Sequence, residues 1–147
     1  MKDKTVAAWL AFIGGPLGLH RFYLHGMRDL PGWLLPVPTI FGLYGIGRVQ
    51  QHGVDDLWSW VLIPLLGFTI ASCALTAIIY GLMPAEKWNA RFNRSASLQA
   101  PPGQTNWFTI AAIVLALLVG TTVLMSSIVF SFQRYFEYQI EAARKKP

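Results

Sequence analysis

Two charge-free apolar blocks constrain what this chain can fold into. Leu57 to Met83 runs for twenty-seven residues, and Trp107 to Phe132 for twenty-six, without an Asp, Glu, Lys or Arg. At about 1.5 Å of rise per helical residue, each block exceeds the roughly 30 Å hydrocarbon core of a bilayer. Each is therefore predicted to span a membrane with some tilt, the first with a kink at Pro64. Trp58 and Trp60 open the first block and Tyr80 closes it, the positions where amphipathic rings anchor a helix to the two interfaces. Only 13% of the chain is charged, about half the share of a soluble domain, and 54% is hydrophobic. The predicted fold class is an all-α polytopic membrane protein with about four hydrophobic segments, the first short and broken by glycine and proline.

The two earlier segments are less regular. Val6 to Leu19 covers fourteen residues, about 21 Å as a helix, and is interrupted by Gly14, Gly15 and Pro16. Proline lacks an amide hydrogen and disfavours helical geometry in the residue before it, so the first helix is predicted to end or kink near Ile13. Either a full span or a re-entrant dip fits this segment. Leu30 to Gly47 is the second uncharged block, carrying Pro31, Pro36 and Pro38 with Gly42, Gly45 and Gly47. Pro31 suits a first helical turn, whereas Pro36 and Pro38 are predicted to delay a distorted helix to about Thr39–Val49. A polar stretch from Glu86 to Asn106 separates the long blocks, turning at Pro101-Pro102-Gly103. The resulting division is 1–57, 58–83, 84–106, 107–132 and a basic amphipathic tail at 133–147. In that tail the spacing of Phe132, Tyr135, Phe136 and Ile140 predicts that the last helix runs on, with Glu141 and Lys145 as a supporting pair.

Both long blocks carry small residues four apart: Cys73, Ala77 and Gly81 in one, Ala112, Ala116 and Gly120 in the other. Such faces let membrane helices approach closely, within one chain or between subunits. The formal charge of +5 comes from 12 Lys and Arg against 7 Asp and Glu. These cations lie between the apolar blocks, the pattern of the positive-inside tendency, so the expected partners are anionic lipid headgroups and not nucleic acid. Four crossings place Lys2, Lys4, Arg48, Arg134, Arg144, Lys145 and Lys146 on one side against Arg21, Arg28, Lys87, Arg91 and Arg94. A re-entrant first segment again gives seven against five, with the last three on the N-terminal side instead. Four segments with a cytoplasmic N-terminus is the expectation.

The run from Lys4 through Gly15, Gly18, His20, Arg21, Phe22, Tyr23 and Leu24 resembles the TM2 domain family, small membrane modules of two hydrophobic segments joined by a short polar turn. Bacterial members run a glycine-rich first segment into His-Arg-Phe-Tyr-Leu-Gly. Here His25 stands where the family has glycine, and Gly26 follows one residue late. The family's glycine-rich second half leads to an aspartate. Gly42, Gly45 and Gly47 are similar to it, with Asp55 or Asp56 as the corresponding acid. The likeness covers residues 4 to 57, implies a bacterial inner-membrane location and implies no particular activity.

Arg21 is the leading candidate residue. A guanidinium near lipid must be paired or reach the headgroups. Two fates follow: an ion pair with Asp55 or Asp56 that locks the first two segments together, or a lipid phosphate contact. His20, His25 and His52 with the two aspartates are suitable metal ligands by type but match no ligand spacing, and Cys73 has no second cysteine to pair with. Adjacent carboxylates on a helix diverge, which argues against a catalytic Asp55-Asp56 pair. No nucleophile elbow, phosphate loop or dinucleotide fingerprint occurs. No catalysis, cofactor or metal is therefore expected. The leading expectation is a structural, scaffolding or accessory membrane protein, as a homo-oligomer or in a larger complex. The alternative is an oligomeric ion or small-molecule transport component using the broken first segment and Arg21.

Overall fold

The computed structural model describes residues 1–53, 55–95, 97–98 and 100–145; Lys146 and Pro147 of the expected basic tail lie outside the described residues. The elements are α1 (Lys4–Gly14), α2 (Leu19–His25), α3 (Leu30–Leu34), α4 (Pro36–His52), α5 (Leu57–Leu82), α6 (Ala85–Phe92) and α7 (Trp107–Arg144), and no strand occurs among the described residues. Three helices are long and apolar enough to cross a membrane: α3 and α4 taken together, α5, and α7. At eleven residues, α1 is about 16 Å long and falls short of that length.

Capping chemistry sets the helix starts. Asp3 accepts from the Thr5 and Val6 amides at 2.8 and 3.1 Å to begin α1. Asp29, Asp56 and Asn106 do the same for α3, α5 and α7. Each satisfies amides that have no partner inside their own helix. The expected delay of α4 to Thr39 is not what forms, because Pro36 and Pro38 fall in the first turn, where a missing amide leaves no hydrogen bond unmade. The helix also continues three residues beyond Val49, to His52.

α5 is the central pillar. The small-residue faces meet within one chain: a Cβ on Gly120 would touch Ala74, and one on Gly81 would touch Ile113. Ala11 of α1 joins Ala74, Ala77 and Ala116 in the same buried cluster. On the other side of α5, Gly42 and Gly45 of α4 lie directly against Leu66 and Leu62. Backbones this close gain dispersion contact that larger side chains would prevent. Beyond the expected boundary at Phe132, α7 continues to Arg144 as foreseen, although Glu141 and Lys145 form no ion pair among the described residues. Arg134 pairs with Glu137 at 2.7 Å instead.

α1 and α2 form an antiparallel hairpin beside α5. α1 starts next to Met83, reaches Cys73 at Gly15, and reverses. α2 brings Leu24 back to Ala7, Met83 and Trp88. The short helix α6 then closes over the chain's start. Its Trp88 indole donates to the Lys2 carbonyl at 2.9 Å, and Asn93 brackets the Lys2 peptide, accepting at 2.6 Å and donating at 3.0 Å.

Candidate functional site

The hairpin reversal is what places the motif residues. Gly15–Leu17 forms one 3-10 turn and Gly18 adopts φ +77°, a left-handed conformation that suits glycine. A side chain at Gly18 would also strike the Gly32 carbonyl, and one at Gly15 would strike Cys73. From that turn α2 fans its side chains outward. Phe22 packs on Trp33 with ring centroids 5.2 Å apart, and the Tyr23 hydroxyl accepts from the Asp3 amide at 2.8 Å. His20 meets Tyr80 at 6.1 Å between rings.

Arg21 does not reach Asp55 or Asp56, and the expected contact is overturned. Its Nε donates to Asp29 Oδ2 at 2.5 Å and its Nη2 to Oδ1 at 3.2 Å, a bidentate pair. Asp56 is held instead by Arg48, at 2.8 Å from Nε and 2.6 Å from Nη2, and Asp55 lies 3.4 Å from Arg134. The physical reason is distance along the pillar. Asp56 caps the start of α5, whereas Tyr80, which His20 touches, comes 24 residues later, roughly 36 Å away along a helix. A local acid in the turn after α2 satisfies the guanidinium without crossing that span. The structure thus gathers Gly15, Gly18, His20, Arg21, Phe22 and Tyr23 at one end of the bundle and leaves both candidate aspartates at the other.

The electrostatics follow from these partners. Its hydrogen bonds to the Arg21 guanidinium, assisted by the Gly32 amide, hold the Asp29 carboxyl below the usual carboxylate range. Arg48 and the Ser59 hydroxyl hold Asp56 far below it. Burial, reinforced by the positive charge of Arg21, pushes His20 down to about 4, so its ring is neutral near pH 7.

A cavity of about 180 Å³ opens between α2, α3 and α5, lined by His20, Arg21, Pro31, Leu35, Ser72, Cys73, Thr76 and Tyr80. His20 is only 3% exposed, and neither ring nitrogen has a protein partner among the described residues. Among the described residues no three His, Cys, Asp or Glu side chains group as metal ligands. The chemistry this site offers is hydrogen bonding and charge recognition.

Two features carried no plain signal in the sequence. Lys4, grouped there with the surface cations, is fully buried; its ammonium donates to the Met83 carbonyl at 2.9 Å and the Thr105 hydroxyl at 2.7 Å. Burial lowers its pKa, opposed by Asp3. The second is α6 itself, whose Trp88, Asn89, Phe92 and Asn93 recur at helical spacing inside a stretch that reads as a polar loop. No protein-family model, curated protein or solved structure matches this chain.

Proposed function

We propose that the chain is a small integral membrane protein of structural or accessory type, built on a TM2-like module over residues 4 to 57. In this reading α3–α4, α5 and α7 cross the bilayer, while the α1–α2 hairpin enters from one side and returns to it. The observation that carries it is the outward face of the bundle. Ile40, Phe41, Leu75, Leu118 and Val129 are each more than half exposed along helices long enough to span. Hydrophobic surface this extensive needs lipid or protein against it. The ionic side chains of these helices lie towards their ends, in the Arg48–Asp56 and Arg134–Asp55 pairs.

This arrangement puts Lys2, Lys4, Arg21, Arg28, Lys87, Arg91 and Arg94 on the N-terminal side and leaves five cations opposite. The excess favours a cytoplasmic N-terminus in a bacterial inner membrane. The reading includes assembly with a second copy or a larger complex. An apolar groove of about 360 Å³ between α5 and α7, walled by Phe68, Leu75, Ile78 and Leu117, has the shape for a lipid chain or a neighbouring helix. A transport component remains the second reading, favoured by the cavity at His20, which reaches Cys73 about midway along α5.

Thiol labelling tests the topology. In a Cys73→Ala background, single cysteines at Met27, His52, Arg94 and Gln133 are probed with a membrane-impermeant maleimide, alongside an N-terminal epitope. Positions 27 and 94 are expected to share the side of the epitope, with 52 and 133 opposite. An epitope on the same side as position 133 would sink the three-crossing arrangement. Intact-mass measurement in mild detergent separates a single scaffold unit from an oligomer. Ion flux through reconstituted vesicles, abolished by His20→Phe, would instead establish the transport reading.

A further inference from the structure

We propose that the cavity between α2, α3 and α5 is a binding site for a phosphate-type oxyanion, supplied by the headgroup of an anionic phospholipid. The inference rests on the membrane reading above and assigns a ligand to the polar cavity at His20.

The case begins with unsatisfied donors. Buried polar groups are almost always hydrogen-bonded, and the buried His20 Nδ1, without a partner among the described residues, calls for one. A neutral imidazole carries one N–H that can donate into the cavity. Arg21 commits Nε and Nη2 to Asp29 and leaves Nη1 without a partner among the described residues. The Tyr80 hydroxyl has no hydrogen bond among the described residues either. Ser72 and Thr76 donate back to carbonyls of their own helix, at 2.7 and 2.8 Å, so the free donors concentrate at the His20–Arg21–Tyr80 end. Three convergent donors, one of them cationic, match an oxyanion better than a cation or a neutral apolar group.

Charge and surface point the same way. Arg28, Lys87 and Arg94 lie at this end of the bundle and form no ion pair among the described residues. They add a positive field that draws anionic lipid towards the site. Pro31 and Leu35 supply an apolar wall, and Leu30, Trp33 and Leu34 of α3 stand largely exposed beside it. A headgroup at Arg21 would therefore have an apolar surface along which its acyl chain could lie.

The test uses the full-length protein in mild detergent. Thermal shift and intact-mass retention are measured with dioleoylphosphatidylglycerol, dioleoylphosphatidylcholine and inorganic phosphate. Phosphatidylglycerol is expected to be retained in preference to phosphatidylcholine. His20→Phe is expected to weaken it about tenfold or more, the range for losing a hydrogen bond to a charged group. Tyr80→Phe removes only a hydroxyl, keeps the ring packing on Trp88, and is expected to weaken retention about threefold, which covers the event that His20→Phe misfolds. Arg48→Gln, at the far end of the bundle, serves as the comparison and should leave retention intact. Stabilisation by inorganic phosphate alone, lost in Tyr80→Phe, would support the oxyanion site with a soluble source and overturn the lipid. Equal retention of both lipids would overturn the anionic lipid as the source, since phosphatidylcholine carries the same phosphodiester, and indifference to both cavity variants would overturn the site. The phosphate arm needs no bilayer, so its failure is distinguishable from a failed topology experiment.

Discussion

The bundle contains one clasp built twice. Arg21 grips Asp29 and Arg48 grips Asp56, each across eight residues, each bidentate, each with the aspartate also capping the helix that follows. Three residues beyond each aspartate the copies diverge, with Gly32 in the first and Ser59 in the second. Ser59 is fully buried and its hydroxyl lies 2.7 Å from Asp56 Oδ2 and 3.2 Å from the Gly45 carbonyl, closing the second clasp over α4. Gly32 offers no hydroxyl, and a Cβ there would press on the Phe22 ring at 2.7 Å and stand 3.3 Å from Asp29 Oδ2. The first clasp therefore lacks the sealing hydroxyl of the second, and its Arg21 also lines the His20 cavity. The same ion-pair geometry makes a turn sealed by a hydroxyl at one end of the bundle and a turn beside a cavity at the other.

The glycines offer the largest way to break this contrast. Gly18 and Gly53 both have positive φ, at +77° and +82°, but only Gly18 has backbone against the place a Cβ would take. Gly18→Val is expected to cost about 4 kcal/mol or more, combining a strained conformation with a steric clash. Gly53→Ala should cost about 2 kcal/mol, the conformational part alone, because φ +82° with ψ 178° is a combination nearly confined to glycine. Melting of the detergent-solubilised protein, followed by tryptophan fluorescence, measures both. Similar losses at the two sites would mean that the Gly18–Gly32 approach does not hold the hairpin.

Acid distinguishes the two ends next. His20 is depressed from 6.5 to about 4, so between those values the unfolded chain binds more protons than the folded one. Stability is then full above pH 6.5 and falls as pH drops towards 4, by on the order of 3 kcal/mol. His20→Phe should flatten that fall, and a slope unchanged in the variant would assign it to other groups. The aspartates follow at lower pH. Both are depressed in the folded protein, so the stability they contribute is present above their unfolded value and lost as pH falls through their folded values. With the extra hydroxyl at Ser59, Asp56 should protonate at lower pH than Asp29. Carboxylate bands in an infrared titration, assigned with Asp29→Asn and Asp56→Asn, give the order, and a reversed order would contradict the sealed second clasp.

How much of this was legible depended on whether the cause was local. α5 and the apolar part of α7 declare themselves because length and absence of charge are one-dimensional properties. The Gly14–Gly18 break is legible for the same reason: glycine and proline act on their own backbone. Lys4 is not, because its partners are a carbonyl at Met83 and a hydroxyl at Thr105, brought together only when α5 and α7 pack. α6 is hidden likewise, since Asn89 and Asn93 read as loop residues until the Lys2, Leu98 and Ala100 backbone arrives to bond them. The Arg21 partner is local as well, the aspartate eight residues on. The repeat of that spacing at Arg48 and Asp56 was the available signal.

The smallest effect addresses the divergence itself. If the residue three beyond the aspartate separates a sealed clasp from an open one, Ser59→Ala should turn the second copy towards the first. The change removes one hydroxyl and leaves the Asp56–Arg48 pair and the Ser59 amide bond to Asp56 in place. The expected loss is about 1 kcal/mol, that of a single buried hydrogen bond, with Asp56 protonating at higher pH than before. The reverse change meets a steric obstacle, since a Cβ at Gly32 would lie 2.7 Å from the Phe22 ring and 3.3 Å from Asp29 Oδ2. Phe22→Ala removes the tighter of those contacts and leaves the approach to Asp29, so Gly32→Ser in that background should destabilise less than Gly32→Ser alone. If it were tolerated and lowered the Asp29 pKa, the missing seal would be a matter of side-chain choice at position 32, independent of the hairpin turn.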